Sequence, residues 1–181
     1  MEKTNMTHAI QGKWAGRFIW AAIIQGLIAT VATVLILDPL QYLTGNSDYF
    51  SPARVIAGGG AGTWFFTGYI SYLVVGVVAM AVTAIFYFYI EGINGKLYSG
   101  YTNLLAWGHL VFMNVGVAGS MLIMMYQGYL AGVAQSNGTS ALTIHETILG
   151  WTTDPIGGLI LLAAIGALLG GLGYVVRSRT N

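Results

Sequence analysis

Four apolar runs, each long enough to cross a lipid bilayer, constrain this chain more than any other feature. They extend from about Phe18 to Leu37, Trp64 to Ile90, Leu104 to Leu130 and Ile156 to Val176. A helix needs roughly 20 such residues to span a hydrocarbon core. Composition agrees: 56% of residues are hydrophobic and only 7% are charged, against about 25% charged in soluble domains. The chain therefore lacks the polar side chains to cover itself in water, and lipid is its solvent. The expected fold class is all-α: an integral membrane bundle of four transmembrane helices forming a single domain over residues 1–181.

The boundaries carry their own punctuation. Asp38-Pro39 stops the first run and Glu91-Gly92 the second. Asp154-Pro155 reads as the start of the fourth, with Asp as N-cap and Pro at the first helical position. Met1 to Lys13 is polar and offers no small-residue cleavage site behind a short apolar stretch, so the first span reads as retained and not as a signal peptide. Lys3, Lys13 and Arg17 precede the first span, Lys96 lies between the second and third, and Arg177 and Arg179 follow the fourth. The two opposite connections hold only Arg54. The positive-inside rule then predicts a multi-pass protein of the cell membrane with both termini cytoplasmic (N-in/C-in). Trp14, Trp20, Tyr42, Trp64, Tyr87, Tyr89 and Trp151 stand near span ends, as interfacial belts do.

Net charge and residue usage exclude several classes. A formal charge of +1 leaves no clustered basic footprint for nucleic acid. With no cysteine, disulfides, thiolate metal sites and thiol nucleophiles are ruled out. Small residues are plentiful instead. Gly166 and Gly170 stand in GxxxG spacing and Gly116 and Gly119 on one side of the third span, which predicts close helix packing inside the protein.

From Gly62 onward the order of motifs is distinctive. Thr63-Trp64-Phe65-Phe66-Thr67-Gly68-Tyr69-Ile70-Ser71-Tyr72-Leu73-Val74-Val75-Gly76 is followed by the aromatic Phe86-Tyr87-Phe88-Tyr89-Ile90 and the turn Asn94-Gly95-Lys96-Leu97-Tyr98-Ser99. Phe112-Met113-Asn114-Val115-Gly116 and Gly128-Tyr129-Leu130-Ala131-Gly132 occupy the third span, and Asp154-Pro155-Ile156-Gly157-Gly158 opens the fourth. In order and spacing, this series resembles the tenth, eleventh and twelfth helices of the catalytic subunit of haem–copper oxidases. It covers about Gly62 to Val176, with the first span matching by position. The resemblance implies a helical membrane subunit whose last helices begin and end in the cytoplasm.

The departures limit what it implies about chemistry. Where the family places its two haem-ligating histidines, this chain has Tyr69 and Ser71; near the family's magnesium site it has Ala61 and Gly62. The copper-ligand helices have no counterpart. Oxygen reduction needs haem and copper held by several imidazoles, and this chain has three histidines in all. No catalytic residue is expected, and no metal site.

His109 is the one histidine inside a span. Ionisable groups at membrane depth are functional candidates, and a neutral imidazole is an ordinary haem ligand. Two readings stand side by side: a hydrogen bond across helices near the inner boundary, beside Trp107, or ligation of a b haem. If haem binds, the other axial ligand must come from a partner subunit or a second copy of this chain, because Met113 shares His109's helix face and His145 belongs to an outer connection. His145 and Glu146 read as a solvated helical turn, and His8 lies in the polar tail. Met113, Met121, Met124 and Met125 point in several directions, as packing filler does. Ala57 to Gly62 lacks the strand and Lys-Ser/Thr of a phosphate loop and reads as a close-packed entry to the second span. Asn137-Gly138-Thr139 fits a glycosylation pattern on the outer side.

Two functions follow as expectations. The first is a non-catalytic membrane subunit, related to the haem–copper oxidase catalytic subunit, assembling with other subunits of a respiratory or other metal-containing complex. The second is a small b-type cytochrome transferring electrons through His109. A transporter would need a polar midplane path, for which Gln25, Thr30, Thr33, Thr83 and Ser120 are too weak. A hydrolase or transferase lacks a base–nucleophile pair.

Overall fold

The computed structural model describes residues 12–38, 43, 45 and 51–179. Lys3, His8, Pro39 and Tyr42 lie outside the described residues. Five helical elements follow one another: α1 (Lys13–Leu37), α2 (Pro52–Ala57), α3 (Gly60–Ile93), α4 (Gly100–Ser136) and α5 (Ala141–Arg179). Four of them, α1, α3, α4 and α5, are long and apolar enough to cross a membrane. No strand occurs among the described residues. In hydrocarbon each backbone N–H and C=O needs a partner within its own segment, and long helices supply it. The chain is an all-α, multi-pass membrane protein.

All four spans run beyond their apolar cores. The first helix starts at Lys13, five residues before the apolar run, because the Trp14 amide is held by the Glu91 carboxylate at 2.8 Å. At its far end Asp38 turns into the left-handed region at φ 41° and its N–H closes on the Val34 carbonyl. Element α3 is wound irregularly, with π-helical turns over Tyr72–Val78 and Tyr89–Ile93. Element α4 starts where the Thr102 hydroxyl accepts from the Ser99 N–H at 3.1 Å.

The fourth span departs from expectation in where it begins. Its regular α-helix opens at Thr153, with Asp154 and Pro155 in the first turn as expected, but irregular helical turns already carry the chain from Ala141. Proline lacks the N–H that would reach back one turn, and here it sits just after a change of winding. A π turn over His145–Leu149 passes into a tight 3-10 turn over Gly150–Thr152, stabilised by the Thr152 hydroxyl on the Leu149 carbonyl at 2.7 Å.

The spans pack as a row. Element α1 lies on α3, α3 on α4, and α4 on α5, while the outer helices α1 and α5 are not packed on each other. Contact between α4 and α5 is made at backbone distance. A Cβ on Gly116 would come within 2.5 Å of the Leu159 carbonyl oxygen, and one on Gly166 within 2.7 Å of the Met113 nitrogen. Gly68 meets the Met121 carbonyl in the same way between α3 and α4. The expected role of the glycines in internal packing is met. Gly157, Gly158 and Gly171 lie on α5 with nothing opposite them.

One end of the row gathers the basic residues. Trp14 of α1 meets Glu91 of α3, and the Lys96 ammonium donates to the Ser178 carbonyl at 2.7 Å. Lys13, Arg17, Lys96, Arg177 and Arg179 therefore share one end, while Arg54, Glu146 and Asp154 belong to the other. Two of the aromatic belt residues are in fact core: Trp14 and Tyr87 are buried among α1, α3 and α4. Trp20, Tyr89 and Trp151 are exposed, as a belt requires.

Candidate functional site around His109

His109 stands on the buried face of α4, one turn before Met113. Its imidazole is nearly enclosed by three neighbouring helices. The Tyr87 hydroxyl of α3 lies 3.2 Å from Nδ1, the Phe18 ring of α1 packs at 4.9 Å between centroids, and the Gly170 backbone of α5 closes the third side. Phe18 and Tyr87 are themselves stacked at 4.7 Å. Any side chain at Gly170 would overlap the imidazole. Of the two readings of His109, the hydrogen bond across helices is present, with Tyr87 as partner. Trp107 is turned elsewhere, edge-on to Trp14 at 5.2 Å.

Beside the imidazole runs a cleft of about 460 Å³ between α3 and α5, floored by α4. Phe86, Tyr87 and Tyr98 line one wall, Gly170, Gly171 and Tyr174 the other, and His109 and Met113 the floor. Tyr98, in the connection between α3 and α4, keeps its phenol neutral. Burial raises its pKa first, and the Glu91 carboxylate and Tyr174 add to that shift while Arg177 opposes it. With Nδ1 engaged by Tyr87, Nε2 is the nitrogen left for a metal. No second His, Asp or Glu lines the cleft among the described residues. His145 and Glu146 are exposed in the π turn of α5 at the opposite end, and no group of three His, Asp or Glu converges among the described residues.

Three polar residues that sequence reasoning treated as mere boundary or filler carry the polar structure. Glu91, read as a span stop, is buried and caps α1 from a different helix, a favourable place for an anion. Arg17, read only as a topology charge, lies over both Trp14 and Trp107, at 4.3 and 4.6 Å from their rings. Gln25 joins three spans: it accepts from the Tyr72 hydroxyl and donates to Asn114 Oδ1 at 2.8 Å. The one available signal was position. Glu91 lies between Ile90 and Ile93, and Gln25 lies mid-run, both places where an unpaired polar group is costly.

The positions where the resemblance would place metal ligands are packing contacts here. The Tyr69 hydroxyl pairs with Thr33 at 2.7 Å, and Ser71 is half-buried on α3. The Ala61 N–H donates to Gln135 Oε1 at 2.7 Å, and Gly62 is wedged against the Val55 carbonyl. The glycine-rich stretch is thus the close-packed entry to α3 that its composition predicts. Compared with family models, curated proteins and solved structures, the chain matches none. The resemblance to the oxidase subunit rests on its motifs alone.

Proposed function

We propose that this is a non-catalytic membrane subunit, related to the haem–copper oxidase catalytic subunit, that assembles with other chains of a respiratory or other metal-containing complex. The observation that carries the reading is the one-sided use of α5. Gly166, Gly170 and Gly173 are taken up by α4 and its flanks, while Gly157, Gly158 and Gly171 have open space before them. In a membrane, small residues on a helix face let a second helix approach closely. The metal-ligand positions, filled by packing residues, support a framework role. The test is gentle extraction from native membranes with identification of co-purifying chains. Stable partners are expected, with neither stoichiometric copper nor oxygen uptake by the isolated chain. A lone monomer in every mild detergent would defeat the reading.

Both termini belong to the cytoplasm in this reading. Its support is the gathering of five basic side chains at one end of the row, which the positive-inside rule assigns to that side. A cysteine replacing Lys96 should resist an impermeant thiol reagent in intact cells, and one replacing Asn137 should react. The reverse pattern would invert the orientation.

A second reading, a b-type cytochrome, is favoured by His109 on the floor of a cleft with a free Nε2. The residues meet half of a low-spin haem's need, one imidazole without its opposite. Haem would then bind between chains, with the other ligand from a partner or a second copy. A Soret band and a sharp reduced α band, both lost in His109→Ala, would support it. A haem-loaded monomer would not fit.

A further inference from the structure

On the face of the row away from the His109 cleft, a groove of about 510 Å³ runs between α1 and α4. Arg17 stands at its mouth, at the basic end. Trp20 and Ile24 of α1 and Val111 and Val115 of α4 form its walls, and Asn114 lies at its floor. There the bond from Gln25 to Asn114 closes it. From Arg17 to Gln25 the helix rises about 12 Å, the length of about half a lipid chain.

The charge at the mouth is held in place by aromatic rings and meets no carboxylate among the described residues. The guanidinium is held by the rings of Trp14 and Trp107, and Trp14 is anchored in turn by Glu91 and by its indole N–H on Asn103 Oδ1 at 3.1 Å. Nitrogen Nη1 is buried without an acceptor among the described residues. Glu91, the buried carboxylate nearby in the row, is occupied by the amides of Trp14 and Tyr98. A guanidinium carries five donors in a fork that matches phosphate oxygens. Lys13 is exposed one helical turn away on the same face of α1.

We infer that this groove is a site for one anionic phospholipid, its phosphodiester on Arg17 with Lys13 beside it and one hydrocarbon chain along the groove to Asn114. Two cations at the mouth favour a headgroup with net negative charge over a zwitterionic one, whose own cation would be placed against Lys13. The hydrocarbon chain distinguishes the ligand from free phosphate. Ring-held Arg17 loses little conformational freedom on binding, which favours residence over passing contact.

The test uses the full chain purified in a mild detergent, delipidated, and titrated with phosphatidylglycerol, with phosphatidylcholine of the same chains, and with inorganic phosphate. Native mass spectrometry and thermal unfolding are read in parallel. One phosphatidylglycerol per chain should be retained and should raise the midpoint, while phosphatidylcholine binds more weakly and phosphate has no effect. Arg17→Gln should weaken phosphatidylglycerol binding about tenfold, the size of one charge-assisted contact, and Lys13→Gln less. Val111→Trp, which fills the groove and leaves both charges, should weaken it as well while keeping wild-type helicity. Equal binding of the two phospholipids, equal protection by inorganic phosphate, or unchanged binding in both Arg17→Gln and Val111→Trp would overturn the assignment.

Discussion

The α4–α5 and α1–α3 interfaces solve the same problem by opposite means. Between α4 and α5 the contact is at glycine distance, with Gly116 and Gly166 set against main-chain atoms and Gly170 against the His109 ring, leaving no room for even a methyl group. Between α1 and α3 it is side chain on side chain: Phe18 stacked on Tyr87, Tyr72 bonded to Gln25, Tyr69 bonded to Thr33. Lipid tails give helices no hydrophobic reason to associate, so close packing and hydrogen bonds must do it. Such an interface tolerates nothing larger, because a main-chain atom cannot swing aside and the His109 ring, packed on Phe18 and bonded to Tyr87, has nowhere to go. An interface of side chains can repack around a lost group. The two should therefore fail very differently under substitution.

The largest effect is expected at the glycines. Gly166→Leu or Gly170→Leu should cost about 3 kcal/mol, the upper range of overpacking, seen as loss of folded protein and a lowered unfolding midpoint in detergent. Gly171→Leu, facing open space on the same helix, should stay within about 0.5 kcal/mol in the isolated chain. Yet it should reduce co-purification with partners. Wild-type midpoints in both buried-glycine variants would break the comparison.

Next comes Glu91, which bridges the same end of the row. Glu91→Ala leaves the Trp14 amide without an acceptor in a buried site, a loss of about 2 kcal/mol. Glu91→Gln keeps an acceptor and should lose less. Hydrogen exchange at the start of α1 is the direct measurement; equal protection in Glu91→Ala and wild type would show that the cap is idle.

Side-chain bonds between spans should matter least. Gln25→Leu removes two of them, and at about 0.6 kcal/mol per interhelical bond the midpoint should fall by a small but measurable step. Tyr87→Phe removes one bond to His109 and keeps the ring stack, so its effect should be about half as large. A larger loss in Tyr87→Phe than in Gly170→Leu would reverse the ranking of the two interfaces.

What could be read in advance followed from local chemistry. The four spans were legible because hydropathy over about 20 residues depends on the segment alone. The packing role of Gly166 and Gly170 was legible because GxxxG spacing puts both on one helix face. Trp14 and Tyr87 were not legible. At a span end an aromatic ring suits the interface as well as the core, and only the neighbouring helix decides. Glu91 was misjudged for the same reason: an acid after an apolar run stops a span equally well whether solvated or capping another helix. Asp154-Pro155 marked the first turn of the regular α-helix from Thr153, while the irregular helical turns from Ala141 were missed, since a local start signal says nothing of what precedes it.

Sequence alone determined the solvent, the number of spans and the ends at which basic residues cluster, since each depends on how a residue's own side chain partitions between water and lipid. Tertiary structure alone decided that the helices lie as a row with α1 and α5 apart, and that His109 meets Tyr87 and not Trp107. It also decided that Arg17 sits over two indoles at the mouth of a groove. Those are pairings between residues far apart in the chain, fixed by which faces fit at backbone distance, and no local preference encodes them.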